Sequence, residues 1–257
     1  MVTPARTGLI PAAGRQAAAV RLSAMATPTP VEVLSAVFQV REPTEGRPTL
    51  HVLLHRSAED GPWSLPGGDV GARETLAAAA RRHLGAQCGL TRVAHLEQLS
   101  MLSDPDRIPD VRTIAATYLG LVPRDVPVEP ATVDAENPGA ARWFDVDELP
   151  DLAYDHAEVV DLARGRIAGK LSYTNLAFAL APGRFAMSEL SEIYGAALGY
   201  HVDATNLLRV LSRRGVVIAT GTVGRTGRSG GRPPALYSFA DDSLVVTDEF
   251  AALKPPP

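Results

Sequence analysis

The chain has 257 residues, of which 46% are hydrophobic and 21% are charged, a composition ordinary for a globular protein with one large domain or two modest ones. A single cysteine excludes an internal disulfide and a cysteine-based metal cluster. No apolar run approaches the roughly 18 residues that a membrane-spanning helix needs. We therefore expect a cytoplasmic protein with no membrane partner.

The net charge of −4 is distributed unevenly along the chain. Residues 31–163 contain 11 basic and 22 acidic side chains, a net charge of −11, whereas residues 164–240 contain 10 and 3, a net charge of +7. An asymmetry of this kind indicates that the basic part binds nucleic acid.

The two terminal segments have compositions that cannot bury a core. Residues 1–30 contain three arginines, no acidic residue and many Ala, Pro and Thr, so we expect a disordered leader. Met25 directly precedes the first strand-like sequence and is the plainer start site, which the intact mass of the native protein would test. Residues 242–257, which end in Lys-Pro-Pro-Pro, are expected to be a frayed tail.

Residues 31–165 alternate between strand-like and helix-like patterns. The β-branched alternation of 31–40 and 50–56, with a Pro- and Gly-bearing loop at 42–48, predicts a hairpin. The elements expected after it are a helix at 74–87, strands at 94–102, 112–122 and 142–146, and a helix at 151–166. This order is that of an α/β/α sandwich.

Residues 63–90 carry a motif with regular spacing. Gly68 is followed six residues later by Glu74, eight beyond that by Arg82, and the segment closes with Gly89 and Leu90. This spacing, together with the preceding Trp-Ser-Leu-Pro-Gly-Gly, resembles the Nudix box, the signature of hydrolases that cleave nucleoside diphosphates linked to another group. The resemblance implies that Glu74 and Arg82 brace a loop–helix–loop. The alternative is an Ala-rich helix that matches the pattern by accident.

The box differs from its pattern where the family places three metal-binding glutamates, because His83, Ala86 and Gln87 occupy those positions. Residues at i, i+3 and i+4 share a helical face, so the three side chains are expected to converge on one cradle. Mg²⁺ requires hard oxygen ligands, and this set offers one neutral carbonyl, an imidazole and a methyl group. We therefore predict no bound metal and a sensor instead of an enzyme.

Residues 166–241 read as a winged-helix domain. The pattern predicts an apolar helix at 173–180, a helix at 188–198 capped by Ser188, a turn at 199–202, and a helix capped by Asp203 that ends before Gly215. Strands at 216–220 and 235–240 follow, joined by a loop rich in glycine and arginine. Helix, helix–turn–helix and basic hairpin together favour binding of double-stranded DNA.

The helix after Asp203 has an apolar side and a polar side. Its outward residues are predicted to contact DNA, Asn being suited to adenine and Arg to guanine; they are Thr205, Asn206, Arg209 and Arg213, with Arg214 as a phosphate contact. The alternative is an ordinary solvated helix face that does not bind DNA. The loop arginines are suited to phosphate or minor-groove contact; they are Arg225, Arg228 and Arg232.

A diphosphate ligand without a metal needs guanidinium groups. Arg56 and Arg112 are the first candidates, and Arg73 and Arg107 are the weaker ones. Each has an ordinary surface arginine as its alternative.

The whole of 31–240 resembles the Nudix-related transcriptional regulators of NAD metabolism, the NrtR family. The segments that carry this resemblance are the box, 95–107, 111–122, 147–156 and 231–239. It implies an α+β protein with a Nudix-like effector-binding domain at 31–165 and a winged-helix domain at 166–241. It further implies that Glu97 and Gln98 orient the ribose or adenine of the effector.

Function follows from the same resemblance. It implies a homodimeric repressor of NAD biosynthesis or salvage genes that binds a palindromic operator and responds to ADP-ribose or a related nucleotide, with no required cofactor. The alternative is an active ADP-ribose or nucleotide-sugar pyrophosphatase whose C-terminal domain is accessory. Glu74 and Glu97 are the acids that such an enzyme would retain.

Overall fold

The structure is a computed structural model that describes residues 29–42, 46–58, 60–127, 140–224 and 233–248. It has the predicted mixed α+β architecture, an α/β/α sandwich followed by a winged helix. In chain order the elements are β1 (Val31–Arg41), β2 (Thr49–Arg56), β3 (Gly67–Asp69), α1 (Leu76–Cys88), β4 (His95–Leu102), β5 (Ile114–Leu121), β6 (Ala140–Asp145), α2 (His156–Tyr173), a 3₁₀ turn (Leu176–Ala179), β7 (Phe185–Ala186), α3 (Met187–Leu198), α4 (Ala204–Arg213), β8 (Val217–Val223) and β9 (Ala235–Phe239).

The first domain is built on a sheet with the strand order β4-β5-β1-β2-β6, in which β3 also pairs with β1. β1 runs parallel to β5 and antiparallel to β2 and β3. Its residues 33–40 are all buried, because helices cover both faces of the sheet. Val33 and Val37 pack on the α1 side, whereas Leu34 and Phe38 belong to the larger core on the α2 side.

Helix α2 differs from the prediction at both ends. It begins at His156 instead of 151 and continues to Tyr173, so the predicted domain boundary at 165/166 falls inside it. Ile167 and Leu171 continue the buried stripe begun by Val160 and bury against the same core, which sustains the helix beyond the predicted end. The apolar helix predicted at 173–180 is accordingly reduced to the 3₁₀ turn.

The second domain packs α3 and α4 on the small sheet β7-β9-β8. α3 begins one residue before the predicted start, with Ala186 and not Ser188 at the N-cap position, because residues 185–186 are already paired with β9. The domains share one apolar core, in which Phe185 and Ile193 belong to the same cluster as Phe38. In the described part of the chain no helix is long and apolar enough to cross a membrane.

Candidate nucleotide and DNA sites

The Glu74–Arg82 pair closes the loop before α1. Arg82 donates from Nε to Glu74 Oε1 at 2.9 Å and from Nη2 to Glu74 Oε2 at 2.7 Å, and Nη2 also reaches the carbonyl oxygen of Asp69 at 2.9 Å. The hydrogen bonds from Arg82 and from the backbone N–H of Gly71 lower the pKa of Glu74 to about 2. The pair therefore fixes the path of the chain from β3 into α1, as the box pattern implies.

Two of the three positions of the lost metal ligands bond the backbone of β3. Gln87 binds the backbone of Gly67 twice, accepting from its N–H at 2.9 Å and donating to its carbonyl at 2.8 Å. His83 Nε2 lies 3.0 Å from the carbonyl oxygen of Asp69, and Ala86 is exposed. His83 and Gln87 thus both face β3.

Gly68 shows how closely α1 and β3 approach each other. Its φ of +143° is one that side chains rarely adopt, and a Cβ there would lie 2.9 Å from Cε1 of His83. In the parts of the chain that the structure describes, no group of three or more His, Cys, Asp or Glu side chains is arranged to hold a metal ion.

His156 supports the same loop from the α2 side. Its Nδ1 accepts the backbone N–H of Leu65 at 3.0 Å, and burial lowers the pKa of His156 to about 4. Burial, with a smaller contribution from the charge of His83, also lowers the pKa of His55. Both rings are therefore neutral near pH 7. The hydrogen bond from the Leu65 N–H requires the neutral form of His156, because a protonated Nδ1 cannot accept it.

The predicted ligand-binding arginines gather at one end of the sheet. β2 is antiparallel to β1 and β5 is parallel to it, so the end of β2 at Arg56 lies at the same edge as the starts of β1 and β5. Arg112 is exposed two residues before β5, instead of within it as predicted, and Arg73 is exposed in the turn after β3. Arg56 stacks on Trp63, with its guanidinium carbon 4.9 Å from the ring centroid.

Arg107 reaches the same end, but the structure does not support a ligand-binding role for it. Its side chain is 1% exposed and bonds Asp155 through Nε and Nη2, both at 2.8 Å, and Glu32 through Nη1 at 2.6 Å. Two carboxylates therefore compensate this buried charge and join the start of β1 to the start of α2.

Glu97 and Gln98 do not line a common site, since neighbouring strand residues point to opposite faces. Glu97 bonds Lys170 at 2.5 Å and His95 at 2.9 Å and contacts Arg166 at 3.4 Å, which ties β4 to α2. Burial raises the pKa of Glu97, but Lys170 and His95 outweigh it and the pKa lies below its usual value. Gln98 is exposed opposite Tyr118 on the α1 side.

Helix α4 presents a polar face to solvent. Asp203 caps it by accepting the N–H of Asn206 at 2.7 Å, as predicted, and Leu207 and Leu211 bury against the core. The remaining face is exposed and carries four of the predicted DNA contacts, Thr205, Asn206, Arg209 and Arg213. Arg209 Nη2 donates to Asn206 Oδ1 at 2.7 Å, so these two side chains form one hydrogen-bonded unit.

Arg214 has a different environment from the one predicted. Its Nη1 donates to the carbonyl of Ser172 at 2.9 Å and its Nη2 pairs with Asp248 at 2.7 Å. It therefore joins the end of α4 to the end of α2 and the segment after β9, a structural role in place of a phosphate contact. The three wing arginines, Arg225, Arg228 and Arg232, lie outside the described residues.

The far end of β1 contacts the winged helix through the loop after β5. Gln39 donates to the carbonyls of Pro123 at 2.8 Å and Val126 at 2.9 Å. Within that loop Arg124 donates its backbone N–H to Leu180 at 2.9 Å and pairs with Glu42 and, at 3.6 Å, with Glu192 of α3. β1 thus links the arginine-bearing end of the sheet to the winged-helix domain.

Comparison with known proteins agrees with the division of the chain into a sandwich domain and a winged-helix domain. The NUDIX domain matches residues 34–163, half of the chain, and the NrtR DNA-binding winged helix domain matches residues 177–239. Over 182 residues the chain is 29% identical to the ADPR responsive transcriptional repressor NtrR of Acinetobacter baylyi, covering 69% of this chain and 70% of that protein.

Two further similarities bear on fold and chemistry. The crystal structure of Shewanella oneidensis NrtR complexed with a 27mer DNA superposes with a TM-score of 0.66 at 24% identity, covering 81% of this chain and 93% of that one, and shows the same fold. An ADP-ribose pyrophosphatase of Methanocaldococcus jannaschii is 33% identical over 102 residues, 39% of this chain and 56% of that protein. The chain belongs to the Nudix family, and its Nudix domain is followed by an NrtR-type DNA-binding winged helix domain.

Proposed function

We propose that the protein is a transcriptional repressor that binds an operator through α4 and its wing and senses ADP-ribose, or a related NAD-derived nucleotide, through its Nudix domain. The observation that carries this proposal is the contrast in side-chain direction between the two domains. His83 and Gln87 of the box bond the backbone of β3, whereas Asn206 and Arg209 of α4 are exposed. The related Acinetobacter protein is named for the same activity.

DNA recognition rests on the exposed face of α4. A helix of this kind enters the major groove and reads base edges, while wing arginines such as Arg228 neutralise phosphates. One winged helix offers few base contacts, so we further propose a homodimer on a palindromic operator. The regulated genes are those of NAD synthesis or salvage.

Effector binding is proposed at the end of the sheet where Arg56, Arg73 and Arg112 lie. No metal is required, because guanidinium groups supply the positive charge that a diphosphate needs. The response then travels the length of β1, eleven residues or roughly 33 Å, to the Arg124 loop and α3. An effector acts by binding one arrangement of this connection more tightly than another.

The test is operator binding with and without ADP-ribose in wild type and in Arg112→Ala. Operator affinity of the variant should match wild type when ADP-ribose is absent, since Arg112 lies in the Nudix domain. Its response to ADP-ribose should be lost. A normal response would show that the effector binds elsewhere, and no response in either protein would contradict the proposed sensing function.

The rival function is an active ADP-ribose pyrophosphatase, which is favoured only by the partial similarity to the Methanocaldococcus enzyme. The structure weakens it, because Glu97, one of the two acids that such an enzyme would retain, is paired with Lys170. Incubation with ADP-ribose and Mg²⁺ separates the two. Turnover above about one per second, near ordinary enzyme rates, would favour the enzyme.

A further inference from the structure

Two arginines share one tryptophan at the effector end of the sheet. Arg56 ends β2, and Arg142 lies on the neighbouring strand β6, where it pairs with Leu54. This register makes Arg56 and Arg142 diagonal neighbours on one face, about 7–8 Å apart at the backbone. Their guanidinium carbons lie 4.9 and 6.0 Å from the centroid of the Trp63 ring, and Phe144 holds that ring edge-on at 4.7 Å.

The charge of this pair is uncompensated within the described chain. Neither Arg56 nor Arg142 has a described carboxylate within 4.0 Å, whereas Arg107 at the same end has two. Nε of Arg56 is buried without a described hydrogen-bond partner. A buried donor left unsatisfied is costly, and two guanidinium groups over one ring repel each other. An anion that accepts from both would remove both costs.

Tyr154 adds a second unusual feature beside the same tryptophan. The backbone N–H of Ala153 donates to Trp63 at 2.9 Å, and Tyr154 follows with a left-handed φ of +49° and a side chain that is 61% exposed. A non-glycine residue in this conformation persists only where its surroundings hold it, and such residues cluster at ligand sites. An exposed aromatic ring one residue after this backbone contact with Trp63 is suited to stack on a planar ring attached to phosphates.

We propose that Arg56 and Arg142, positioned by Trp63, bind the diphosphate of a nucleotide effector, with Tyr154 stacking on a ring of the same ligand. This inference rests on the proposed sensing function and names its site. Arg142 was not among the residues predicted from the sequence. Fork-shaped donors that are held against a rigid ring recognise phosphate oxygens without a metal ion.

The experiment measures the affinity of the full chain for ADP-ribose by calorimetry in EDTA, with inorganic pyrophosphate as competitor. Arg142→Gln should lower the affinity for ADP-ribose by about tenfold or more, since charge-assisted hydrogen bonds are lost. Arg164→Gln is the matched control, because it removes the same charge at a surface site paired with Asp147. Pyrophosphate should compete with ADP-ribose in wild type and the control, and much less in Arg142→Gln.

Equal ADP-ribose affinities in Arg142→Gln and Arg164→Gln would overturn the diphosphate site. Operator binding without ADP-ribose should be the same in both variants. Failure of the site is distinguishable from failure of the proposed function, because in the second case wild type itself would not bind ADP-ribose. Tyr154→Gly tests the stacking contact, because glycine tolerates the left-handed backbone. This variant should keep the fold and bind ADP-ribose more weakly. Unchanged affinity for ADP-ribose would show that Tyr154 is not part of the site.

Discussion

Helices α1 and α4 are alike in construction and opposite in what they do with their polar side chains. Each begins at a side-chain cap, Thr75 for α1 and Asp203 for α4, and each is followed by a left-handed glycine, Gly89 and Gly215. In α1 the polar side chains at the family's ligand positions bind the β3 backbone. In α4 the polar face is exposed.

This difference indicates which helix retains groups for a partner. A donor that already bonds its own backbone must break that bond before it binds anything else, whereas an exposed donor only loses water. Gln87 is in the first situation. Arg209 is close to the second, because among the described residues its guanidinium group bonds Asn206 alone. The box helix α1 therefore uses its polar side chains to hold β3, whereas α4 keeps its polar side chains exposed.

Among the changes considered, loss of the neutral form of His156, which accepts the Leu65 N–H, should lower the free energy of unfolding most. The pKa of His156 is lowered to about 4 from an unfolded value near 6.5, so its contribution to stability is complete above pH 6.5 and is lost as pH falls toward 4. The free energy of unfolding should drop by about 3 kcal/mol over that window from this residue.

His156→Asn, whose Oδ1 can still accept the Leu65 N–H, should flatten that dependence in urea unfolding between pH 7 and pH 4.5. His201→Asn, at an exposed histidine, serves as the control and should keep the wild-type slope. An unchanged slope in His156→Asn would show that His156 does not bind as a neutral acceptor.

Returning acids to α1 should damage the scaffold instead of restoring a catalyst. In Gln87→Glu the donor to the Gly67 carbonyl is lost and a carboxylate faces that oxygen, which should cost about 2 kcal/mol of unfolding free energy. Ala86→Glu, at an exposed position, should cost much less.

The triple variant His83→Glu, Ala86→Glu, Gln87→Glu should hydrolyse ADP-ribose more slowly than about one turnover per second. Our reason is that the surrounding groups which orient metal ligands also have to be in place. Rapid hydrolysis by this variant would mean that only the ligands had been lost.

Substitutions on the exposed face of α4 should lower affinity for the operator. Arg209→Ala should lose roughly 1–3 kcal/mol of operator affinity, because a guanidinium that reads a base edge becomes a methyl group. Non-specific DNA affinity should change little. Arg214→Ala provides the contrast, since its guanidinium bonds Ser172 and Asp248 and its loss should lower stability first. Wild-type operator affinity in Arg209→Ala would place the recognition surface elsewhere.

The smallest effects test the two helix caps. Thr75→Ala and Asp203→Ala should each lower the free energy of unfolding by about 1 kcal/mol, since each removes an acceptor for a backbone N–H. Asp203→Asn keeps the acceptor and should be nearly neutral. Only the Asp203 change should also weaken operator binding, and an equal loss of binding in Thr75→Ala would indicate that α1 too contacts DNA.

Local patterns were sufficient to predict the features that depend on neighbouring residues. The alternation in β1 and β2, the spacing from Gly68 to Leu90 and the cap at Asp203 all involve residues close in sequence, and the structure has them. The end of α2 was predicted too early, because burial of Ile167 and Leu171 depends on the three-dimensional core.

The partners of the charged residues could not be predicted because they are distant in sequence. Arg107 finds Glu32 and Asp155, which are 75 and 48 positions away, and Arg214 finds Ser172, 42 positions away. Arg142 was missed because only the pairing of β2 with β6 places it over Trp63. A charge pattern along the chain does not reveal which charges are already compensated.

On the proposed function, the Nudix domain senses ADP-ribose without hydrolysing it and transmits its binding to α4. The direct measurement is operator affinity in EDTA with and without saturating ADP-ribose, with the nucleotide recovered and quantified afterwards. We predict a change of about fivefold or more in operator affinity, with ADP-ribose recovered intact. No change in affinity, or a change that requires Mg²⁺ and consumes the nucleotide, would contradict the account.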